Sequence, residues 1–148
     1  MKKLLTLIAL LSLTAPVFAA DKYASVDLEK VLKGYKKTAV INQTFQKREA
    51  DIRVFIVDAQ KSVVAATTDA ERKKLEEKYA KELKSKMDKL QKDKIAALQG
   101  LEKDVKKAID EEGKKGTYAL ILTSNNTLYG AVDISDSIIK NLNATPAK

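Results

Sequence analysis

Residues 79–109 read YAKELKSKMDKLQKDKIAALQGLEKDVKKAI, and apolar side chains recur there at intervals of three and four residues. Eight of nine positions in the resulting stripe are apolar or aromatic: Tyr79, Leu83, Met87, Leu90, Lys94, Leu98, Leu101, Val105 and Ile109. The intervals repeat every eleven residues, about 3.67 residues per helical turn, so the stripe stays nearly straight or drifts right-handed. A helix of this length with one apolar stripe predicts a projecting arm with a single packing partner.

That partner is predicted upstream, as a first long helix from about Tyr35 to Val64. One of its faces carries an apolar series that Arg48 interrupts: Ile41, Phe45, Ile52, Ile56, Ala59 and Val63. Thr68 and Glu71 then match a capping box, so the second helix is expected to begin at Asp69. The few residues between the two helices require them to lie antiparallel.

The second helix is expected to run to about Glu112 and to end in Gly113-Lys114-Lys115-Gly116. Glycines stop a helix readily, and lysines suit the negative end of its dipole. The arm is therefore predicted to comprise residues 35–116, inserted between two terminal segments.

The terminal segments, residues 20–34 and 117–148, are predicted to form a small β-rich body. A strand at Tyr23–Asp27 precedes a short helix capped by Asp27. At the other end, strands at Tyr118–Thr123 and Leu128–Val132 are expected to pair as a hairpin, with a bulge at Gly130, before a closing helix from Asp133 to Leu142. A body this small without disulfides or metal is expected to oligomerise through its strands.

The first nineteen residues have the layout of a secretory signal peptide. Lys2 and Lys3 precede an apolar run from Leu4 to Leu13, and small residues surround a cleavage point after Ala19. The run is shorter than the ~20 residues that span a bilayer, although an uncleaved anchor remains the alternative. Removing the two lysines lowers the net charge from +8 to +6. A basic exported protein suits anionic lipid, lipopolysaccharide or acidic protein segments.

The composition argues against catalysis. The chain has no cysteine and no histidine, so it lacks a thiol nucleophile, the usual general base and the commonest metal ligand. The carboxylates at Glu76-Glu77 and Asp110-Glu111-Glu112 are sequence neighbours that point in different directions on a helix. We therefore expect no enzymatic activity, no cofactor and no metal site.

The element order resembles that of the Skp (OmpH) family of periplasmic chaperones across essentially the whole mature chain. The resemblance is carried by the opening Tyr23-Ala24-Ser25-Val26-Asp27, by the charged helical hairpin, and by the ending from Ala119-Leu120-Ile121-Leu122 through Asn125-Asn126 to Val132-Asp133-Ile134-Ser135-Asp136. The ending, with its Asp-Ile-Ser start to a final helix, is the most family-like part. The hairpin alone would match any coiled coil.

The resemblance implies an α+β, mostly α fold and a homotrimer. The strands of such a trimer form a shared β-barrel-like body, and its helical arms surround a cavity. It also implies a periplasmic, ATP-independent holdase that keeps unfolded outer-membrane proteins from aggregating. The family has no catalytic signature, and the basic lipopolysaccharide-binding cluster proposed for some members has no counterpart here.

Two sets of arm residues are candidate client-binding surfaces. The first is a valine face opposite the apolar series of the first helix, namely Val40, Val54, Val57 and Val64. The second is a lysine-dense stretch that could attract acidic clients or lipid phosphates, namely Lys84, Lys86, Lys89, Lys92 and Lys94. The alternative for the valines is that they are scattered surface residues or pack between arms. The alternative for the lysines is that they form an ordinary solvated helix face.

Gly100 is a candidate hinge in the second arm helix, because glycine there costs about 1 kcal/mol relative to alanine. A tolerated defect or a close helix contact is the alternative.

At the level of function, the runner-up is a structural coiled-coil or envelope-tethering protein that binds one folded partner. Nucleic-acid binding is disfavoured by the signal peptide and by the lack of a base-reading module.

Overall fold

The computed structural model describes residues 21–144 as a mostly helical α+β chain. The predicted signal peptide and residues 145–148 lie outside the described residues. Three strands and four helices follow in the order β1 (Lys22–Val26), α1 (Leu28–Gly34), α2 (Lys36–Val64), α3 (Asp69–Gly116), β2 (Tyr118–Thr123), β3 (Val132–Asp133) and α4 (Ser135–Ala144). The predicted mostly helical α+β class is therefore confirmed.

Capping hydrogen bonds fix the first residues of α1 and α3 at the positions that the sequence predicts. The Asp27 carboxylate accepts a hydrogen bond from the Lys30 amide at 2.9 Å, and the Thr68 hydroxyl accepts from the Glu71 amide at 3.2 Å. α3 ends four residues later than predicted, at Gly116, where Thr117 takes the left-handed conformation with φ 54°. The helix passes through Gly113 because glycine weakens a helix without forbidding it.

The sheet has the order β2-β1-β3, and both outer strands run parallel to β1. The predicted strand hairpin is therefore wrong. After β2, residues Ser124–Asn126 form a 3₁₀ turn, and the chain then crosses to the far side of β1. There the Ile134 amide donates to the Ser25 carbonyl at 3.0 Å, which holds this segment against β1 instead of β2.

Two further expectations about the body need correction. Gly130 lies in a bend outside any strand, with φ 87°, so it marks a turn and not a bulge. The three described strands form an open sheet, which is not closed into a barrel within one chain. A single short parallel sheet leaves both edges unpaired, because closing a barrel requires more strands.

The core lies between the sheet, the short helices and the C-terminal third of α3. Its fully buried side chains include Val26, Val31 and Ile138. α3 contributes Leu101, Val105 and Ala108, so the core reaches well into the segment that the sequence assigned to the arm. Every residue of α2, by contrast, is exposed or half-buried.

The α2–α3 seam keeps the eleven-residue spacing but differs from the predicted stripe at two positions. Met87 and Leu98 are exposed, at 56% and 66%, while the other seven stripe residues are at least partly buried. Lys86 and Ala97 are half-buried in their place. The Lys86 ammonium lies over the Phe55 ring, 4.9 Å from its centre, so a cation–π contact accounts for a charged side chain in the seam.

Candidate functional site

The exposed faces of the arm are the first candidate site. Val40, Val54, Val57 and Val64 are all exposed, between 47% and 81%. Val54 and Val57 lie one turn apart, whereas Val40 and Val64 lie ~36 Å apart along the axis of α2. The structure therefore brings the central pair together and leaves the other two as separate apolar points.

The five candidate lysines do not share one face of α3. Lys84, Lys89 and Lys92 are exposed. Lys86 and Lys94 instead turn toward α2, where each ammonium lies within 6 Å of an aromatic ring centre. The steps from Lys84 to Lys86 and from Lys92 to Lys94 are two residues long, which is about 200° around a helix. The two lysines of each pair therefore lie on nearly opposite faces.

Ion pairs cross the seam next to these aromatic contacts. Lys94 donates to Glu49 Oε1 at 2.5 Å, and Arg48 donates to Asp93 Oδ2 at 2.6 Å. The hydrogen bond from Lys94 holds the pKa of Glu49 below its usual range. Arg48, which interrupts the apolar series in the sequence, is therefore a cross-helix contact.

The arm is fixed to the body by a polar cluster at its root. The Tyr35 hydroxyl donates to Asp104 Oδ2 at 3.1 Å, and Lys37 donates to the same oxygen at 2.8 Å. The bond from Lys37 lowers the pKa of Asp104, and burial raises the pKa of the Tyr35 phenol. This cluster sets where α2 begins against α3.

A groove of about 690 Å³ lies at the same root, and the sequence analysis did not identify it. Its floor is apolar and comes from both arm helices, with α1 closing one side. The apolar lining includes Ile41, Phe45, Leu98, Leu101, Val105 and Ile109. Two α1 side chains, Leu28 and Leu32, complete it and are 42% and 37% exposed.

Gly100 lies within the unbroken α3 helix, above the buried part of the arm root. A Cβ built at this position meets nothing within 4 Å, so a close helix contact does not explain the glycine. The hinge role stays a prediction.

The body also exposes apolar side chains. Leu128 and Tyr129 are fully exposed in the loop before β3, and Val132 is 58% exposed on β3 itself. Leu120, on the opposite edge strand, is 48% exposed. Both outer strands of the sheet thus carry apolar side chains beside unpaired edges.

The Asp-Ile-Ser segment that carried the family resemblance joins the two ends of the chain. The Ser135 side chain is completely buried, and its hydroxyl accepts from the Asp27 amide at 2.9 Å and donates to Asp133 at 2.5 Å. The hydrogen bonds from Ser135 hold the pKa of Asp133 below its usual range. Asp27, Asp133 and Ser135 therefore hold the two segments of the body together.

The chain was compared with protein families, curated proteins and solved structures. No protein-family model matches the chain, and no curated protein matches it. Among solved structures, a candidate outer membrane chaperone (OmpH-like) from Caulobacter crescentus is 13% identical over 85% of this chain and 86% of its own, with a TM-score of 0.39. A TM-score this low does not establish a shared fold.

Within residues 21–144, every helix is too short or too polar to cross a membrane.

Proposed function

We propose that the protein is a periplasmic, ATP-independent holdase that binds unfolded outer-membrane proteins between its helical arms. The observation that carries the proposal is the arm, two antiparallel helices whose outer surfaces combine exposed apolar and basic side chains. Val54 and Val57 on α2 and Leu98 on α3 are exposed, and Lys84, Lys89 and Lys92 are exposed on α3. Isolated apolar side chains on a charged helix offer weak contacts that suit clients of varied sequence.

Self-association is part of the proposal. The open sheet has two unpaired edges on opposite sides of β1, with apolar side chains beside them, and each edge could be covered by a neighbouring copy. The resemblance to the Skp family favours a trimer, in which three arms would surround one cavity. The proposal includes anionic lipid or lipopolysaccharide as a further partner, on the basis of the exposed lysines of the arm.

The test is light scattering from a urea-unfolded outer-membrane β-barrel protein diluted into buffer with and without the mature protein. We expect suppression of aggregation at roughly one trimer per client, with the mass of the protein determined in parallel. Replacing Val54 and Val57 together by serine should weaken suppression at unchanged helix content. Gln91→Ser with Gln99→Ser, two exposed polar positions on α3, is the matched control.

The competing function is a structural coiled-coil or envelope-tethering protein. It predicts saturable binding to one folded partner and no protection of unfolded β-barrel proteins. A well-folded oligomer that leaves client aggregation unchanged would favour that function over the holdase.

A further inference from the structure

We infer that the arm bends at a hinge zone that spans both of its helices, residues 38–45 of α2 and residues 95–100 of α3. The zone contains Gly100 but extends beyond that single glycine. Three features of the arm carry the inference: polar contacts that fix the helices to each other at both ends of the zone, weak helix formers between them, and unfilled space on both sides. The inference concerns the motion of the arm and does not depend on the proposed function.

Polar contacts between α2 and α3 bound the zone below and above. Below it, Lys37 donates to Asp104 at 2.8 Å. Above it, Arg48 donates to Asp93 at 2.6 Å, and Lys94 makes a second cross-helix ion pair beside that one. The lower and upper contacts are eleven residues apart on each helix, which is about 16 Å along the arm. Bending is therefore directed to the stretch between them.

The α2 part of the zone consists mainly of weak helix formers. It reads Thr-Ala-Val-Ile-Asn-Gln-Thr-Phe, in which only Ala39 and Gln43 favour a helix. The next eight residues, Gln-Lys-Arg-Glu-Ala-Asp-Ile-Arg, include six that do. Within the zone, the Thr44 hydroxyl donates to the Val40 carbonyl at 2.8 Å. A threonine bonded in this way to the preceding turn weakens a helix and often bends it.

The α3 part of the zone consists largely of small residues. Ala96, Ala97 and Gly100 lie within six positions of one another. Glycine gives the helix backbone more freedom than any other residue, and a Cβ at Gly100 would meet nothing within 4 Å. The alanines are good helix formers, so their contribution is the space that their short side chains leave. Gly100 is therefore the point at which α3 yields.

Unfilled space lies on both sides of the α2–α3 seam at this level. One side is the arm-root groove of about 690 Å³, which Asn42 and Ala97 line. The other is an opening of about 380 Å³, which Thr44 and Ala96 line. Asn42 and Thr44 are two residues apart on α2, about 200° around the helix, so the two spaces flank the seam. A close-packed seam resists bending, whereas this one has room on either side.

A bend in the zone moves the upper arm as one rod. Above the upper contacts, the seam is held by side chains such as Phe55 and Tyr79, whose rings meet edge to face at 5.8 Å. Lys81 lies ~29 Å beyond Gly100 along α3, so a bend of about 15° displaces it by about 7 Å. The same bend changes the width of the arm-root groove, because the groove lies partly within the zone.

The test is a measurement of distances between pairs of spin labels by double electron–electron resonance. The chain has no cysteine, so Lys81→Cys, Lys140→Cys and Lys47→Cys place labels at exposed positions without interference. Labelled chains are diluted into an excess of unlabelled mature protein, so that only distances within one chain are measured. The pair 81–140 spans the zone, and the pair 81–47 lies above it. We expect the spanning pair to have a distance distribution about twice as broad.

Gly100→Ala combined with Thr44→Ala should narrow the 81–140 distribution about twofold, because both changes favour the straight helix. Ser62→Ala combined with Ser85→Ala is the matched control. Ser62 also donates to a carbonyl four residues earlier, at 2.9 Å, but both serines lie above the zone. The control should leave the 81–140 distribution unchanged.

Three results would overturn the hinge zone. Equal widths for the two label pairs in the wild type would mean that bending is absent or spread along the arm. An 81–140 distribution that stays broad in the variant of Gly100 and Thr44 would place the bend elsewhere. Equal narrowing by the control would mean that helix propensity anywhere in the arm sets the width. These distances are measured without a client, so the result is independent of the aggregation assay.

Discussion

The two halves of α3 lie in different environments. Residues 69–98 contact mainly α2, and each of their side chains is exposed or half-buried. Residues 101–112 contribute Leu101, Val105, Ala108 and Glu112 to the buried interior. One continuous helix therefore joins a two-helix arm, whose cross-helix ion pairs link residues 45 positions apart, to a body whose contacts link residues more than twice as far apart in the chain. The stability of such a molecule is not uniform, and its arm is expected to open at lower free energy than its body.

Truncating a leucine in each half should give the largest contrast. Leu101, at 5% exposure, lies in the core, whereas Leu90 is half-buried in the seam. We expect Leu101→Ala to lower the free energy of unfolding by about 2–5 kcal/mol, because it leaves a cavity. Leu90→Ala should cost only about 1 kcal/mol, since less apolar surface is lost. Urea unfolding followed by circular dichroism measures both, and equal costs would contradict the division of α3.

Two glycines of α3 should respond oppositely to alanine. A Cβ at Gly116 would clash with the Tyr118 ring, so Gly116→Ala should destabilise the protein by about 1–3 kcal/mol. At Gly100 the added methyl meets nothing within 4 Å, and Gly100→Ala should stabilise it by up to about 1 kcal/mol. Thermal unfolding of the two variants checks the signs. If Gly100→Ala instead destabilised the protein, the glycine would have a role that the open space around it does not explain.

Glu112 should give the smallest effect, and it is sensitive to pH. The Ser137 hydroxyl donates to its carboxylate at 2.6 Å, and this hydrogen bond holds the pKa of Glu112 below its usual range. A carboxyl group with a lowered folded-state pKa contributes stability above its unfolded pKa, about 4.3, and loses it as the pH falls through the folded value. Glu112→Gln should therefore cost about 1 kcal/mol at pH 7 and less near pH 3.

The control for Glu112→Gln is Glu76→Gln, an exposed carboxyl on the arm half of the same helix. Its substitution should leave the unfolding temperature at pH 7 unchanged. An equal loss of stability in both variants would mean that Glu112 gains nothing from its position beside α4.

The helix starts were predictable because capping is local. Asp27 and Thr68 each accept from an amide three residues later, a pattern that can be read from a few letters of sequence. The strand pairing was not predictable in this way, because β1 pairs with residues that lie 96 to 108 positions later in the chain, from Lys22 with Tyr118 to Ala24 with Val132. The Asp27 amide and the Ser135 hydroxyl, separated by 108 residues, show the range involved.

The candidate site was predictable only in outline. Residue type identified the exposed valines, but it misplaced Met87 and Leu98 in the seam. Lys86 takes the place of Met87 through its cation–π contact with Phe55, and the small Ala97 takes the place of Leu98. The root groove depends on how α1 packs beside the arm, which no pattern in the arm reveals.

The parallel pairing of β1 with β2 also orders the events of folding. A ribosome must complete the whole of α2 and α3 before the partner strand of β1 exists, and Ser135 follows later still. The helical hairpin, whose contacts are closer in sequence, can form in the meantime, since chains with local contacts fold fastest. Until α4 is made, Val26 and Val31 lack core side chains such as Ile138 that pack with them in the complete protein. Premature termination would therefore leave a formed arm attached to an incomplete body with exposed apolar side chains.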